Sequence, residues 1–192
     1  PIKKLIFRTL LPRPRVMDGL QRLAAVSQGL FSKNADPILG SSCARFNPPV
    51  IRDRHFLPLA KIPLHGEMGE IDEPAGSSGL KVGFYPGCLV DKIFLSVGRD
   101  ALALLRDQGH GIFLPGEQVC CGIPALSSGD RTGFEQLVGR ILDQFEDTGI
   151  DYLVTPCATC TATIRTVWPL MASSLPDSQK QRVQILADKT RN

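Results

Sequence analysis

Five cysteines in the last 105 residues form a pattern with chemical meaning: a lone Cys88, an adjacent pair Cys120 and Cys121, and Cys157 and Cys160 spaced as Cys-x-x-Cys. Thiolate is the soft, ligating form of cysteine. In a reducing compartment, grouped thiols are more often metal ligands or redox groups than disulfides. Pro86, Gly87, Gly122, Pro124 and Pro156 flank them. Glycine lets backbone approach a bulky group, and proline stiffens a loop before a metal arrives. Zinc takes four ligands, commonly as two paired motifs. Adjacent cysteines rarely both face one tetrahedral ion without backbone strain, whereas a larger cluster accepts both. Five thiolates exceed the four of a single cubane. The leading expectation is therefore an iron–sulfur centre, with one cysteine spare or a cluster other than a simple cubane. Zinc is the alternative. Cys157-x-x-Cys160 also suits thiol–disulfide chemistry, which leaves the other three unexplained, and buried inert thiols are the structural alternative. Cys43, in Gly40-Ser-Ser-Cys43-Ala, reads as structural or incidental.

The elements that position these residues follow from the hydrophobic pattern. A strand is expected at Leu80–Tyr85, a helix from about Asp91 to Gln108, a strand at Gly111–Leu114 and a helix from Asp130 to Gly149. A strand at Tyr152–Thr155 comes next, then a helix from about Ala158 that Pro169 should kink or end. A last helix covers roughly Asp177 to Lys189. Phe94, Val97, Ala101, Leu104, Leu105 and Gln108 share one face of the first helix. Phe134, Leu137, Val138, Ile141, Leu142 and Phe145 share one face of the second, which Asp130 caps. Strand–helix alternation at this spacing means α/β architecture: an open parallel sheet with flanking helices and right-handed crossovers. The cysteines then fall just after three strands, at the sheet edge where such folds bind ligands.

Residues 1–78 read differently, as a helical and proline-rich extended N-terminal segment. Met17–Phe31 carries Met17, Leu20, Leu23, Ala24, Ser27, Leu30 and Phe31 at helical spacing. Asn34–Gly79 holds Pro37, Pro48, Pro49, Pro58, Pro63 and Pro74, which resist both helix and central strand. The run from Glu73 to Gly79 marks a boundary, so residues 79–192 form the cysteine-rich unit. Through Lys61 there are eleven Lys/Arg against three Asp/Glu, although the whole chain carries only +3. This basic arm reads as a solvated linker, with docking on a partner protein or an anionic membrane face as its alternative.

No run of eighteen apolar residues or export signal is present, so a cytoplasmic location is expected. The start at Pro1 suggests a processed chain or part of a longer one. No glycine-rich phosphate-binding signature follows a strand, and no nucleic-acid partner is expected. His55, His65 and His110 read as surface residues, Asp91 as a helix cap, and Trp168 and Met171 as core.

Three segments resemble the cysteine-rich CCG domain: Phe84-Tyr-Pro-Gly-Cys88-Leu-Val-Asp91, Val119-Cys-Cys-Gly-Ile-Pro124 and Pro156-Cys-Ala-Thr-Cys160. They are separated by 31 residues between Cys88 and Cys120 and 35 between Cys121 and Cys157. That domain occurs in heterodisulfide reductase, in the anaerobic glycerol-3-phosphate dehydrogenase iron–sulfur subunit and in lactate- and glycolate-oxidising complexes. The resemblance implies that Cys88, Cys120, Cys121, Cys157 and Cys160 bind an iron–sulfur cluster of the 4Fe-4S type. It further implies an electron relay from a flavoprotein dehydrogenase of 2-hydroxy acids, beside another iron–sulfur subunit, to a quinone or other acceptor. A peripheral place on the inner membrane face would go with that role. The alternatives are a zinc-binding structural or interaction module and heterodisulfide-type thiol chemistry. Family members often carry an upstream ferredoxin-like domain and two CCG copies. Neither the upstream domain nor a second copy is in this sequence, which is expected to be the first of a pair within a subunit about twice as long.

Overall fold

A computed structural model describes residues 2–36, 38, 40–46, 54–172 and 175–192. Pro37, Pro48 and Pro49 of the expected extended connection lie outside them. The chain opens with a helical turn, Ile2–Leu5, and a wide turn, Ile6–Leu10, closed by a Leu11 N–H to Ile6 carbonyl bond of 2.9 Å. Helix α1 (Pro14–Phe31) follows, with proline in its first turn, where no amide donor is missed. Strands β1 (Ser32–Asp36), β2 (Ser41–Ala44) and β3 (His55–Phe56) then form a small antiparallel sheet. A short helix α2 (Leu64–Met68) and strand β4 (Ile71–Asp72) complete this half.

The segment expected to be extended thus contains short ordered elements. Its described prolines sit between them: Pro58 after β3, Pro63 as the residue before α2, and Pro74 after β4. Proline therefore limits the length of each piece without preventing pairing.

The second half is built from β5 (Lys81–Phe84), α3 (Gly87–Lys92), α4 (Leu95–Asp107), β6 (Gly111–Leu114), α5 (Ile123–Ser127), α6 (Arg131–Phe145), β7 (Tyr152–Val154), α7 (Ala158–Ala162), α8 (Asp177–Lys189) and β8 (Thr190–Arg191). Sheet order is β4-β6-β5-β7-β8. The pairs β5/β6, β5/β7 and β7/β8 are parallel, and β4 runs antiparallel on one edge. β5 is central, paired through Val82 with Ile112 on one side and Tyr152 on the other. The three expected strands and the helices on both faces are present. The sheet is mostly parallel, with β4 and β8 as additional short edges.

Alternation along the strands divides the core. Phe84, Ile112 and Leu114 face one side, with Leu64, Val90 and Leu102. Tyr85 and Leu153 face the other, packed with Leu137, Ile141, Ile164, Trp168 and Val183. Each fully buried aliphatic or aromatic side chain stabilises the fold by roughly 1.5–3 kcal/mol. The α6 stripe from Phe134 to Phe145 is buried as expected, and the Gly133 amide donates to the Asp130 carboxylate at 3.3 Å, the expected cap.

Two helices differ from expectation. The helix expected from Asp91 is two, α3 and α4. The Lys92 carbonyl accepts from the Ala60 N–H at 2.9 Å and so leaves the helical ladder there. α4 buries Leu95, Gly98 and Leu102, whereas Phe94, Val97 and Leu104 are exposed. Leu64 fits the notch at Gly98, which selects that face. Pro169 is accommodated differently from a simple stop. After α7 the chain widens over Thr163–Val167, and the Trp168 N–H reaches back to the Thr163 carbonyl before the short helix Trp168–Met171. No helix among the described residues is long and apolar enough to cross a membrane.

Candidate metal centre

Because β5, β6 and β7 are parallel neighbours, the loops at their carboxyl ends emerge side by side. Cys88 is the second residue of α3, just beyond β5. Cys120 and Cys121 end the loop after β6, directly before the turn into α5. Cys157 is the residue before α7, with extended backbone, and Cys160 lies inside that helix. Cys120, Cys121 and Cys160 are buried, and Cys88 and Cys157 are partly exposed in the same apolar cluster. The five thiols expected to act together are thus brought together. Cys43 lies in β2 of the N-terminal sheet, outside this cluster.

Two glycines allow the loops to close. Gly87 has φ +69°, and a Cβ placed there would stand 2.8 Å from the Cys160 sulfur. That contact joins the first loop to the third. Gly122 has φ +92°, and a Cβ there would meet the Phe134 ring at 2.7 Å. Both positions combine the left-handed region with no room for a side chain.

Two aromatic side chains hold the loops from beneath. The buried Tyr85 hydroxyl donates to the Val119 carbonyl at 2.7 Å, joining the β5 end to the β6 loop. The Trp168 indole N–H donates to the Cys121 carbonyl at 3.0 Å. Trp168 is core, as expected, but its polar atom also anchors the cysteine pair. The role of Tyr85 has no signal in the sequence, where the residue reads only as the end of a strand.

The thiols interact in a line. Cys120 donates towards Cys88 and Cys121, and Cys160 donates towards Cys121 and meets Cys157. Donation from Cys120 lowers the Cys88 pKa against the opposing effect of burial. Donation from Cys120 and Cys160 lowers Cys121 to about 3, helped by the Ile123 N–H and Thr163. Cys120 and Cys160 are pushed far up, chiefly because their protons are held by Cys121. Burial, followed by the negative charge on these sulfurs, raises Tyr85 well above the usual phenol range. Such a patch can hold only some of its thiols ionised unless a cation compensates them. Among the described residues no three His, Cys, Asp or Glu side chains are arranged around a point fit for one ion. The sulfurs are in pairwise contact instead.

Beside Cys88 and Cys120 lies a charged network that sequence reasoning misread. His65, expected at the surface, is 5% exposed, and Asp91, expected as a cap, is fully buried within α3. His65 Nδ1 lies 2.8 Å from Asp91 Oδ1, and its backbone N–H donates to the same oxygen at 3.0 Å. His65 Nε2 lies 3.1 Å from Asp18 Oδ2, and Lys92 donates to Asp18 Oδ1 at 2.7 Å. Burial lowers the His65 pKa, but the two carboxylates outweigh it and hold the value at about 9. The imidazole is therefore charged at neutral pH. Asp91 and Lys92 border a crevice of about 20 Å³ with Cys88 and Cys120, closed by Leu11 and Met17. That volume suits a single water molecule. His110 bonds Ser78 at 2.7 Å in its turn, and His55 is exposed.

Comparison with known proteins is consistent with this placement. The family described as "Cysteine-rich domain" (CCG) matches residues 82–165, the stretch that contains all five cysteines. The chain is 33% identical over 151 residues to an uncharacterised iron–sulfur protein of Methanocaldococcus jannaschii, covering 79% of this chain and 29% of that protein. It is 37% identical over 105 residues to a subunit of the fumarate reductase (CoM/CoB) of Methanothermobacter marburgensis, covering 55% of this chain and 21% of that protein. It is 36% identical over 111 residues to lactate utilization protein A of Bacillus thuringiensis, covering 58% and 45%. The chain therefore spans less than half the length of each of these relatives. No solved structure matches it.

Proposed function

We propose that this chain, whose residues 82–165 match the cysteine-rich CCG family, is an electron relay whose Cys88, Cys120, Cys121, Cys157 and Cys160 hold an iron–sulfur cluster of the 4Fe-4S type. The observation that carries this reading is the convergence of five thiols from three separate strand ends into one largely buried patch. The residues present suit the group. The donors are all soft sulfur, ferric and ferrous iron would balance their charge, and glycine at position 87 lets the Cys160 sulfur close on the first loop.

When bound, such a cluster supplies reversible one-electron transfer at a fixed position. The chain's own groups prepare that position. Trp168 and Tyr85 fix the backbone of the second loop. The Ile123 amide favours the ionised Cys121 sulfur, and hydrogen bonds to ligating sulfur stabilise the reduced, more negative state. Lys92 adds positive charge near Cys88.

The names of the relatives support an oxidoreductase setting. We extend the proposal to a flavoprotein partner that oxidises a 2-hydroxy acid, such as lactate or glycolate, and to onward transfer to a quinone or other acceptor.

Anaerobic purification with iron and acid-labile sulfide analysis tests the proposal. Replacing any one of the five cysteines by Ser should lower both contents, while Cys43→Ser should leave them unchanged. Stoichiometric zinc without sulfide would sink it in favour of a structural metal module.

A further inference from the structure

A buried oxygen that accepts no hydrogen bond marks a place where something else must supply the donor. Among the described residues, five buried side-chain oxygens have no such partner: Gln21 Oε1, Asp91 Oδ2, Gln118 Oε1, Gln144 Oε1 and Thr155 Oγ1. Two of the five, on Asp91 and Gln118, belong to residues that line one crevice, the space of about 20 Å³ beside Cys88 and Cys120.

Asp91 is fully buried and Gln118 is 5% exposed. Each has its other polar atom engaged. Asp91 Oδ1 accepts from the His65 backbone N–H at 3.0 Å and lies 2.8 Å from His65 Nδ1. Gln118 Nε2 donates to the Pro115 carbonyl at 3.4 Å. Lys92 Nζ lies 3.2 Å from Asp91 Oδ2, but its hydrogen bond goes to Asp18 Oδ1 at 2.7 Å. The ammonium therefore offsets the charge of Asp91 without saturating the lone pairs of Oδ2.

The lining sets the chemistry of the occupant. It must donate to two oxygens and be no larger than a water molecule. A cation would face Lys92, and the Asp91 charge is already balanced by Lys92 and His65. An anion would face two acceptors. Water satisfies the set: its two O–H groups serve Asp91 Oδ2 and Gln118 Oε1, and its oxygen accepts from a further N–H of Lys92, which also lines the crevice. Three hydrogen bonds are the usual complement of a buried water.

We propose that Asp91, Gln118 and Lys92 hold one internal water at the Cys88–Cys120 edge of the cysteine patch. Two regions of the chain build this site. Asp91, Lys92 and Gln118 lie within the matched residues 82–165. Leu11 and Met17, which close the crevice, and Asp18, which holds Lys92, come from the N-terminal segment. That segment thus completes the surroundings of two of the five sulfurs. The bearing of the water on the centre rests on the relay reading, since hydrogen bonding and solvent access at ligating sulfur are levers on its potential.

The test is a crystal structure of the anaerobically purified full chain, at a resolution that shows ordered water. One water within hydrogen-bond distance of both Asp91 Oδ2 and Gln118 Oε1 is expected. A dry crevice, or a metal ion in it, would overturn the proposal. Gln118→Met, close to Gln in size, should remove that water from the map. It should also lower the urea midpoint, because Asp91 Oδ2 is then left with Lys92 alone. A raised midpoint is the response of a dry crevice relieved of an unpaired oxygen, and it too would refute the site. Iron and sulfide analysis of the same preparation keeps the two readings apart. The water without iron or sulfide would sink the relay and leave the site standing, and iron and sulfide without the water would do the reverse.

Discussion

Replacing Gly87 by Ala tests the site at its tightest point. Two effects separate on the structure. The backbone at Gly87 has φ +69°, where a side chain costs about 1–2 kcal/mol. The added methyl would also stand 2.8 Å from the Cys160 sulfur and 3.8 Å from the Cys157 Cβ, so the third loop must shift. Lower unfolded-state entropy of Ala returns about 0.4–1 kcal/mol. With the contact included, a net loss of about 2 kcal/mol is expected, a Tm drop of roughly 4–8 °C for a chain of this size. Gly149→Ala is the matched control: its φ is +68°, yet nothing lies within 4 Å of the added atom. Both variants should lose stability in urea titrations of the metal-free protein, Gly87→Ala more. Only Gly87→Ala should lose iron and sulfide after anaerobic reconstitution. Full iron uptake by Gly87→Ala, or stability no lower than that of Gly149→Ala, would refute the role given to this contact.

Three further outcomes are expected. His65→Gln leaves Asp91 buried with only Lys92, 3.2 Å away, to offset its charge, and should cost about 3 kcal/mol by urea unfolding, the low end for a broken buried pair. Because the folded-state pKa of His65 is raised to about 9, its stabilisation is fully present below the unfolded value of about 6.5 and is lost as pH rises through 9. Wild-type stability should therefore slope downward across that window, and His65→Gln should flatten the slope. Trp168 is the sole tryptophan and bonds the Cys121 carbonyl; its emission should fall as the metal-free chain is reconstituted, and Cys121→Ser should weaken that response.

The parts of the fold that were legible in the sequence are those where local pattern and tertiary need agree. α6 has one apolar stripe and an acidic cap, with no competing pattern on its other faces, so Phe134 to Phe145 could be read directly. The cysteine edge was legible because strand ends are short and parallel pairing leaves one place for the loops. α4 was not, since its buried side includes Gly98, which carries no hydrophobic signal but receives Leu64. The stripe on α1 was visible, yet which way it faced depended on Gln21, Gln28 and Asp18 finding partners far along the chain. His65 and Asp91 were missed for the same reason. Single charged residues have no period, and their burial is legible only when the partner is known.

The sheet order also imposes a schedule on the making of the centre. β5 is central and precedes β6 in the chain, so Cys88, Cys120 and Cys121 leave the ribosome before the segment that carries Cys157 and Cys160. At roughly 5–20 residues per second, the adjacent pair waits about 2–8 s for the last two thiols, and Cys88 waits longer. Through that interval the second flank of β5 is bare and the third loop does not exist. Iron delivered then would meet an incomplete set of donors, and oxidants would meet an unshielded one. The moment at which β7 docks, rather than the moment at which the first motif is translated, is when this centre can be assembled.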